Sequence, residues 1–420
     1  MSTRFSINVG HRITIIATCF SLPIVVLFYY VSQNIGESIA FAQLELKGNA
    51  YQRPLEAALE NVVMYQTGLR TAGSDNATAR ARVNKAMSEL SVADKNFGVA
   101  LQFTAEGLAK RDRSHLLVAN LQKEWDETAA ASDSTVNGEI DHIVADLRAF
   151  IGHAGDTSNL ILDSDLDSYY LMDVTLVALP QAQDRLAKVS NLVADLLARG
   201  HITTDERVQI ALQAALMQES NLEHVIASSS TSLKEDLNFY GVSPSLQANL
   251  PPAVAAYEAT SKEMIDLTRK VAAGEAVDRT AYLAIAQKAI AASFSVWHVG
   301  VGELDGLLQT RINAYTTRLH QTSAWSALAV LISVIFTWII KNSITMPLIK
   351  LVGSLGPGSV LLSECAGLIK TNNDRGVSNR EETALICGEL MAHANDMKTA
   401  VTQLEKLVGS SKSNVASVTG

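Results

Sequence analysis

SAWSALAVLISVIFTWIIKNSITMP, residues 323–347, is the stretch whose reading decides the architecture. From Ser323 to Ile340 it contains no Asp, Glu, Lys or Arg. A helix of about eighteen residues, rising ~1.5 Å each, nearly fills a hydrocarbon core of roughly 30 Å. Trp325 and Trp338 stand near its two ends, where indoles favour the headgroup layer, and Lys341 follows at once. The run reads as a membrane span, so whatever precedes it must act through it on whatever follows.

A second uncharged run, Ile13–Ser32, lies near the N-terminus and ends on Tyr29 and Tyr30. Ala40-Phe41-Ala42 offers small residues at the spacing of a signal-peptide cleavage site. The apolar run is longer than the roughly 7–15 residues such peptides use, which favours an uncleaved anchor. Lys and Arg flank the start of the first span and the end of the second, and the positive-inside rule then places both termini in the cytoplasm. The expected layout is a cytoplasmic N-terminus (1–12), a first span (13–32), an exported domain (33–322), a second span (323–340), a cytoplasmic linker (341–408) and a flexible tail (409–420). In a diderm bacterium that means the inner membrane, with residues 33–322 periplasmic.

Charge and cysteine follow the same division. The formal net charge is −9; with +2 on residues 1–12 and +1 on residues 341–420, the intervening chain carries −12. An acidic exported domain argues against nucleic acid as a partner. Cys19, Cys365 and Cys387 all fall outside residues 33–322, as suits a segment that meets an oxidising compartment without disulfides to form.

With 48% hydrophobic residues and only 6% aromatic, Ala/Leu/Val-rich helices are expected, and the fold class is all-α. In the first helix Leu44, Gly48, Tyr51, Leu55, Leu59 and Val62 repeat at four and three, one apolar stripe. Turn signals stand at Thr71–Asp75, Asp163-Ser-Asp165, Gly200–Thr204, Gly241-Val-Ser-Pro244 and Gly274. They predict further helices over about 77–108, 112–158 with a weak point near 132–138, 165–199, 203–240, 246–273 and 277–322. Pro54 should kink the first helix or restart it, and Gly300 and Gly302 should soften the last. Such helices are expected to pack as an antiparallel bundle.

Beyond the second span, Ile344, Leu348, Leu351 and Leu355 step at heptad spacing, and so do Cys387, Leu390, Ala394, Met397, Val401, Leu404 and Val408. Two short seams behind a span suggest a small parallel bundle made by two copies of the chain. Ser343-Ile-Thr-Met-Pro347-Leu, and Glu381-Glu382-Thr-Ala-Leu385 opening a second heptad helix, resemble a HAMP linker, the relay module of bacterial receptors. The resemblance implies that Pro347 and Glu382, or Glu381, mark its two helix starts. Gly356-Pro357-Gly358 departs from that pattern and is expected to interrupt the first helix. The exported part resembles the helical sensor regions of methyl-accepting chemotaxis receptors and related sensor kinases and cyclases. Lys47-Gly48-x-x-Tyr51-x-Arg53-Pro54-Leu55 and Leu162–Asp173 carry that likeness.

The candidate ligand-binding residues are Tyr51, Arg53, Asp163, Asp165, Asp167, Tyr169, Tyr170 and Asp173. In one reading Arg53 pairs with an aspartate of the central run and the tyrosines wall a pocket, where a guanidinium fork suits a carboxylate ligand. In the other, Asp165 or Asp167 caps the following helix and the ion pair only fixes register. A calcium loop is excluded, because Ser168 and Val174 stand where its glycine and bidentate acid belong. The histidines lack ligand spacing for a metal, and no cofactor motif, nucleophile or paired catalytic acids are read, so no enzyme is expected.

These readings imply a two-span chemoreceptor-type signal transducer, homodimeric, sensing a small molecule or a periplasmic binding protein. The family suggests small organic acids or amino acids as ligands. The sensor part of a histidine kinase or diguanylate cyclase, and a membrane-tethered helical scaffold, stand as alternatives. No signalling hairpin, kinase or cyclase pattern follows Val408, so the output belongs either to a further segment or to a cytoplasmic partner.

Overall fold

The computed structural model describes residues 9–71, 73–131, 136–373 and 380–408. The weak point at 132–135, most of the cytoplasmic N-terminus and the tail at 409–420 lie outside them. The described residues form thirteen α-helices and no strand, so the fold is all-α. The chain divides into two compact units, residues 1–34 with 318–420, and residues 35–317.

In the first unit, α1 (Val9–Gly68) and α11 (Arg279–Ile340) contribute apolar windows of mean hydropathy 2.1, none of whose side chains is buried. Both helices are long and apolar enough to cross a membrane. The Ser21 and Ser333 hydroxyls meet at 2.9 Å within these windows, a polar link of the kind that joins helices where no water competes. α11 passes through a π turn at Lys341–Thr345 into α12 (Met346–Asn373). Pro347 lacks the N–H that would bond to residue 343, and the widened turn lies over that gap.

The interruption expected at Gly356-Pro357-Gly358 does not occur, for α12 runs through Pro357. Gly353, four residues back, has no Cβ to oppose the carbonyl tilt that a proline ring imposes. α13 (Arg380–Val408) packs on α12. On α13 the inward face is the expected seam, with Cys387, Ala394 and Val401 buried and Leu390, Met397 and Leu404 half-buried. Over the π turn and α12 the expected seam is met in part, by Leu348 and Leu355. Thr345, Leu348, Val352, Leu355, Ser359 and Ala366 turn inward, while Ile344 and Leu351 stay exposed. Glu381 and Glu382 lie in the first turn of α13, and their side chains lie outside the described ones.

The second unit begins with the rest of α1. It continues through α2 (Asn76–Phe97), α3 (Ala105–Ala109), α4 (Val118–Ala130), α5 (Val136–Thr157), α6 (Leu166–Met172), α7 (Leu179–Arg199), α8 (Thr204–Leu216), α9 (Glu223–Glu235) and α10 (Pro244–Ala273), and ends in α11. Four of these helices start on a side-chain cap. Asp75 accepts from Thr78 N, Thr104 from Gly107 N and Ser243 from Leu246 N, and Thr203 with Glu206 forms a reciprocal capping box. Gly200 and Gly274, at φ 73° and 84°, close α7 and α10 in the left-handed conformation.

The helix expected over 77–108 stops at Phe97, and the one expected from 112 begins at Val118. The backbone stays helical from Leu166 to Arg199 through a π turn at Asp173–Ala178, which ends just before Pro180 breaks the hydrogen-bond ladder. α1 likewise continues through Pro54. Tyr51, Leu55, Leu59 and Val62 of α1 join Trp297, Val301, Leu304 and Leu308 of α11 in one buried apolar cluster. Each such side chain contributes about 1.5–3 kcal/mol by leaving water.

Candidate functional site

Close approach of α1 to the turn after α5 sets the site's geometry. Gly48 is buried on α1, and a Cβ there would stand 2.2 Å from Ser158 Cβ and 3.1 Å from Leu160 Cδ1. Glycine lets the helix lie against that turn. Asn159, at φ 70°, then starts the short 3₁₀ turn Leu160–Leu162, which delivers the acidic run to the face of α1; asparagine tolerates that conformation better than most residues.

Arg311 of α11 reaches into this junction. Its Nη1 donates to Glu45 Oε2 at 3.0 Å, its Nη2 to Asp163 Oδ1 at 2.6 Å and to Ser168 Oγ, and its Nε lies 2.7 Å from Asp165 Oδ2. The Arg311 side chain is only 5% exposed, and those of Glu45 and Asp163 are at 0%. Two segments distant in sequence are thus tied to one guanidinium on α11, whose planar fork can serve several oxygens at once.

More carboxyls crowd this place than one cation can balance, and their proton affinities reflect it. Burial, reinforced by Asp163, pushes Glu45 up to about 8 despite Arg311. Burial also raises Asp167 to about 6, against the bond its carboxylate accepts from Ser168 N at 2.7 Å. Burial thus favours the neutral form of Glu45. Asp163 Oδ1 also accepts from Asp165 N at 3.0 Å, which fixes the turn.

The expected pairing of Arg53 with these aspartates is corrected. Arg53 bonds Asp305, and Asn49 joins it by donating to Asp305 Oδ1 at 2.7 Å and to the Val301 carbonyl at 2.9 Å. Arg53 and Asp305 are 45% and 37% exposed, a surface pair unlike the buried one. Of the two capping candidates, Asp167 accepts from Ser168 N in the first turn of α6, and only the Asp165 alternative is corrected. Asp165 holds the N-cap position of α6 but makes no side-chain cap bond, because its carboxylate faces Arg311.

The other expected residues scatter. Tyr51 is fully buried, stacked on Phe103 at 4.5 Å, and donates to Asp94 at 3.0 Å. Tyr169 and Tyr170 meet edge to face at 5.3 Å. Asp173 accepts from Ser228 Oγ at 2.7 Å and lies 2.7 Å from His224 Nε2, which ties α6 to α9. None of these tyrosines lines the cleft beside Arg311. That cleft, about 290 Å³, is walled by Glu37, Phe41, Leu162, Ser164 and Tyr315.

Sequence reasoning missed Arg311 and Glu45. The signal was present: Leu304, Leu308 and Arg311 share one face at helical spacing, so a charge interrupts an otherwise apolar stripe. It also missed a meeting of metal-type ligands. Glu124 of α4 and His142 and Asp146 of α5 bring one ligand atom each within 4.8 Å of one another. His142 and Asp146 are four apart on one helix, but the third member comes from another. As it stands, His142 Nδ1 is hydrogen-bonded to Glu124 Oε1 at 2.5 Å, and that bond raises the imidazole above its usual range.

Comparison of the chain with known protein families, curated proteins and solved structures finds no match.

Proposed function

We propose that the chain is a two-span transmembrane sensor of chemoreceptor type. Residues 33–322 are exported and packed as an antiparallel bundle, both termini are cytoplasmic, and the helices after the second span serve as a HAMP-like relay in a homodimer. The observation that carries this reading is that a single helix, Arg279–Ile340, holds both Arg311 and the uncharged run Ser323–Ile340. A ligand or partner that favours one packing of the exported helices acts on the helix that enters the membrane.

Magnitudes support the same reading. Moving a two-state equilibrium from 1:99 to 99:1 needs about 5.5 kcal/mol of differential affinity. Breaking one buried ion pair costs about 3–5 kcal/mol. The Arg311 clasp is thus of the right size to separate two packings, and rearranging it shifts α11 by a piston or a rotation. Its guanidinium is already engaged by three carboxyls, so its role in this account is to hold the packing, and the ligand acts on that packing from elsewhere.

The homodimer has its own support. Leu351, Leu361, Leu368 and Leu385 remain 52%, 61%, 69% and 68% exposed on α12 and α13, an apolar surface that a second copy can cover.

The test is a chimera of residues 1–408 joined to the kinase-control region of a bacterial chemoreceptor. Kinase output is measured for the wild type, Glu45→Gln and Arg311→Gln at matched membrane levels. Output differing by about 5-fold or more between wild type and Arg311→Gln is expected. Identical output from all three contradicts the relay.

A further inference from the structure

A second cleft, of about 280 Å³, opens on the stripe of α7 that carries Gln181, Arg185 and Lys188. Its charges do not balance. Arg148 of α5 and Lys188 both pair with Asp184, at 2.6 and 2.9 Å. Among the described residues Arg185 pairs with no carboxylate, and its Nη1 donates to the Gln213 amide oxygen at 3.3 Å. Three cations thus face one acid among the residues lining the cleft.

Arg185 Nε is moreover shut off from solvent and has no hydrogen-bond partner among the described residues. That nitrogen is closed to a ligand in the cleft, so what an anion would meet there is the unbalanced positive charge of the lining. We propose that this cleft, between α5, α7 and α8, binds a small aliphatic dicarboxylate. Arg185 and Lys188 grip the carboxylates and the Gln181 and Gln213 amides orient them.

The class follows from the walls. A net charge of two positive units calls for a dianion. Val189 and Leu192 give the cleft an apolar side, which suits methylenes and leaves a bare inorganic oxyanion poorly filled. An amino acid is disfavoured, because its ammonium group would need a free carboxylate and Asp184 is already held twice. Arg311 is not among the residues lining this cleft. Only the further step, that such binding is the signal, rests on the sensor reading above.

The experiment is isothermal titration of the full-length chain in lipid nanodiscs, with succinate as probe. Dimethyl succinate serves as its neutral counterpart and inorganic phosphate as a competing dianion. Saturable succinate binding that weakens with added salt is expected, with no response to the ester and weaker binding of phosphate. Arg185→Gln should weaken succinate at least tenfold with an unchanged unfolding midpoint. Lys188→Gln alters a side chain that is 46% exposed, so it decides the matter if Arg185→Gln misfolds, and it should weaken binding several-fold. No saturable binding, phosphate held as tightly as succinate, or equal affinity in both variants and wild type overturns the assignment. The titration needs no output module, so its failure leaves the relay untouched. Succinate binding without a change in chimera output counts against the relay alone.

Discussion

Arg311 Nη2 and Asp163 Oδ1 meet at 2.6 Å although 148 positions separate them in the chain. The contact joins the last helix of the second unit to the turn before α6, and Glu45 adds the first helix at 3.0 Å. Removing the cation leaves the Asp163 carboxyl buried without its partner. Arg311→Ala should therefore cost about 3–5 kcal/mol, measured by denaturant unfolding of the full chain in detergent micelles. Arg311→Lys should recover only part of that loss, because one ammonium group cannot present a fork to three partners.

Arg53 provides the contrast. Its partner is Asp305, and both side chains are well exposed. Water and salt screen such a pair, so Arg53→Ala should cost no more than about 1 kcal/mol in the same measurement. An effect equal to that of Arg311→Ala would show that the two ion pairs are not ranked by burial.

Protonation of Glu45 gives a pH dependence of definite sign. Its pKa is raised from 4.5 to about 8 in the folded chain, so the native state holds a proton that the unfolded chain releases earlier. The stabilisation tied to that proton is fully present below about pH 4.5 and is lost as the pH rises to about 8. Glu56, fully buried and pushed well above the carboxylate range by that burial, contributes in the same direction. Comparing wild type with Glu45→Gln across pH 4.5–8.5 isolates the Glu45 share. The difference between the two unfolding free energies should change steadily over that range, and a constant difference would contradict the raised pKa.

Gly48→Ala tests the close approach. The new methyl would stand 2.2 Å from Ser158 Cβ and Oγ. Neither atom is the end of a long side chain, so backbone must move. A loss of about 1–3 kcal/mol is expected, and Ser158→Gly in the same chain should restore part of it.

Much of the fold was legible in the sequence because its signals are local. The uncharged runs at 13–32 and 323–340, the caps at Asp75, Thr203 and Ser243, and the left-handed glycines at 200 and 274 all act within a few residues of themselves. The π turn before Pro180 and the inward turn of Thr345 and Val352 in place of Ile344 and Leu351 were not legible, since each depends on how a helix meets its neighbours. The candidate site divided along the same line. The acidic run at 163–167 stood out by composition, whereas its cation lies 148 positions away from Asp163 on a helix face whose burial only packing reveals. Arg53 drew the assignment because it sits beside Tyr51 and Pro54 in a distinctive motif, yet it belongs to a different and exposed pair.

Everything proposed about signalling depends on residues 33–322 lying across a membrane from residues 341–408. Alkaline phosphatase and green fluorescent protein, each fused in turn after Gly200 and after Val408, measure this most directly. The account predicts phosphatase activity and no fluorescence at Gly200, and fluorescence without phosphatase activity at Val408. The same reporter active at both positions would contradict it.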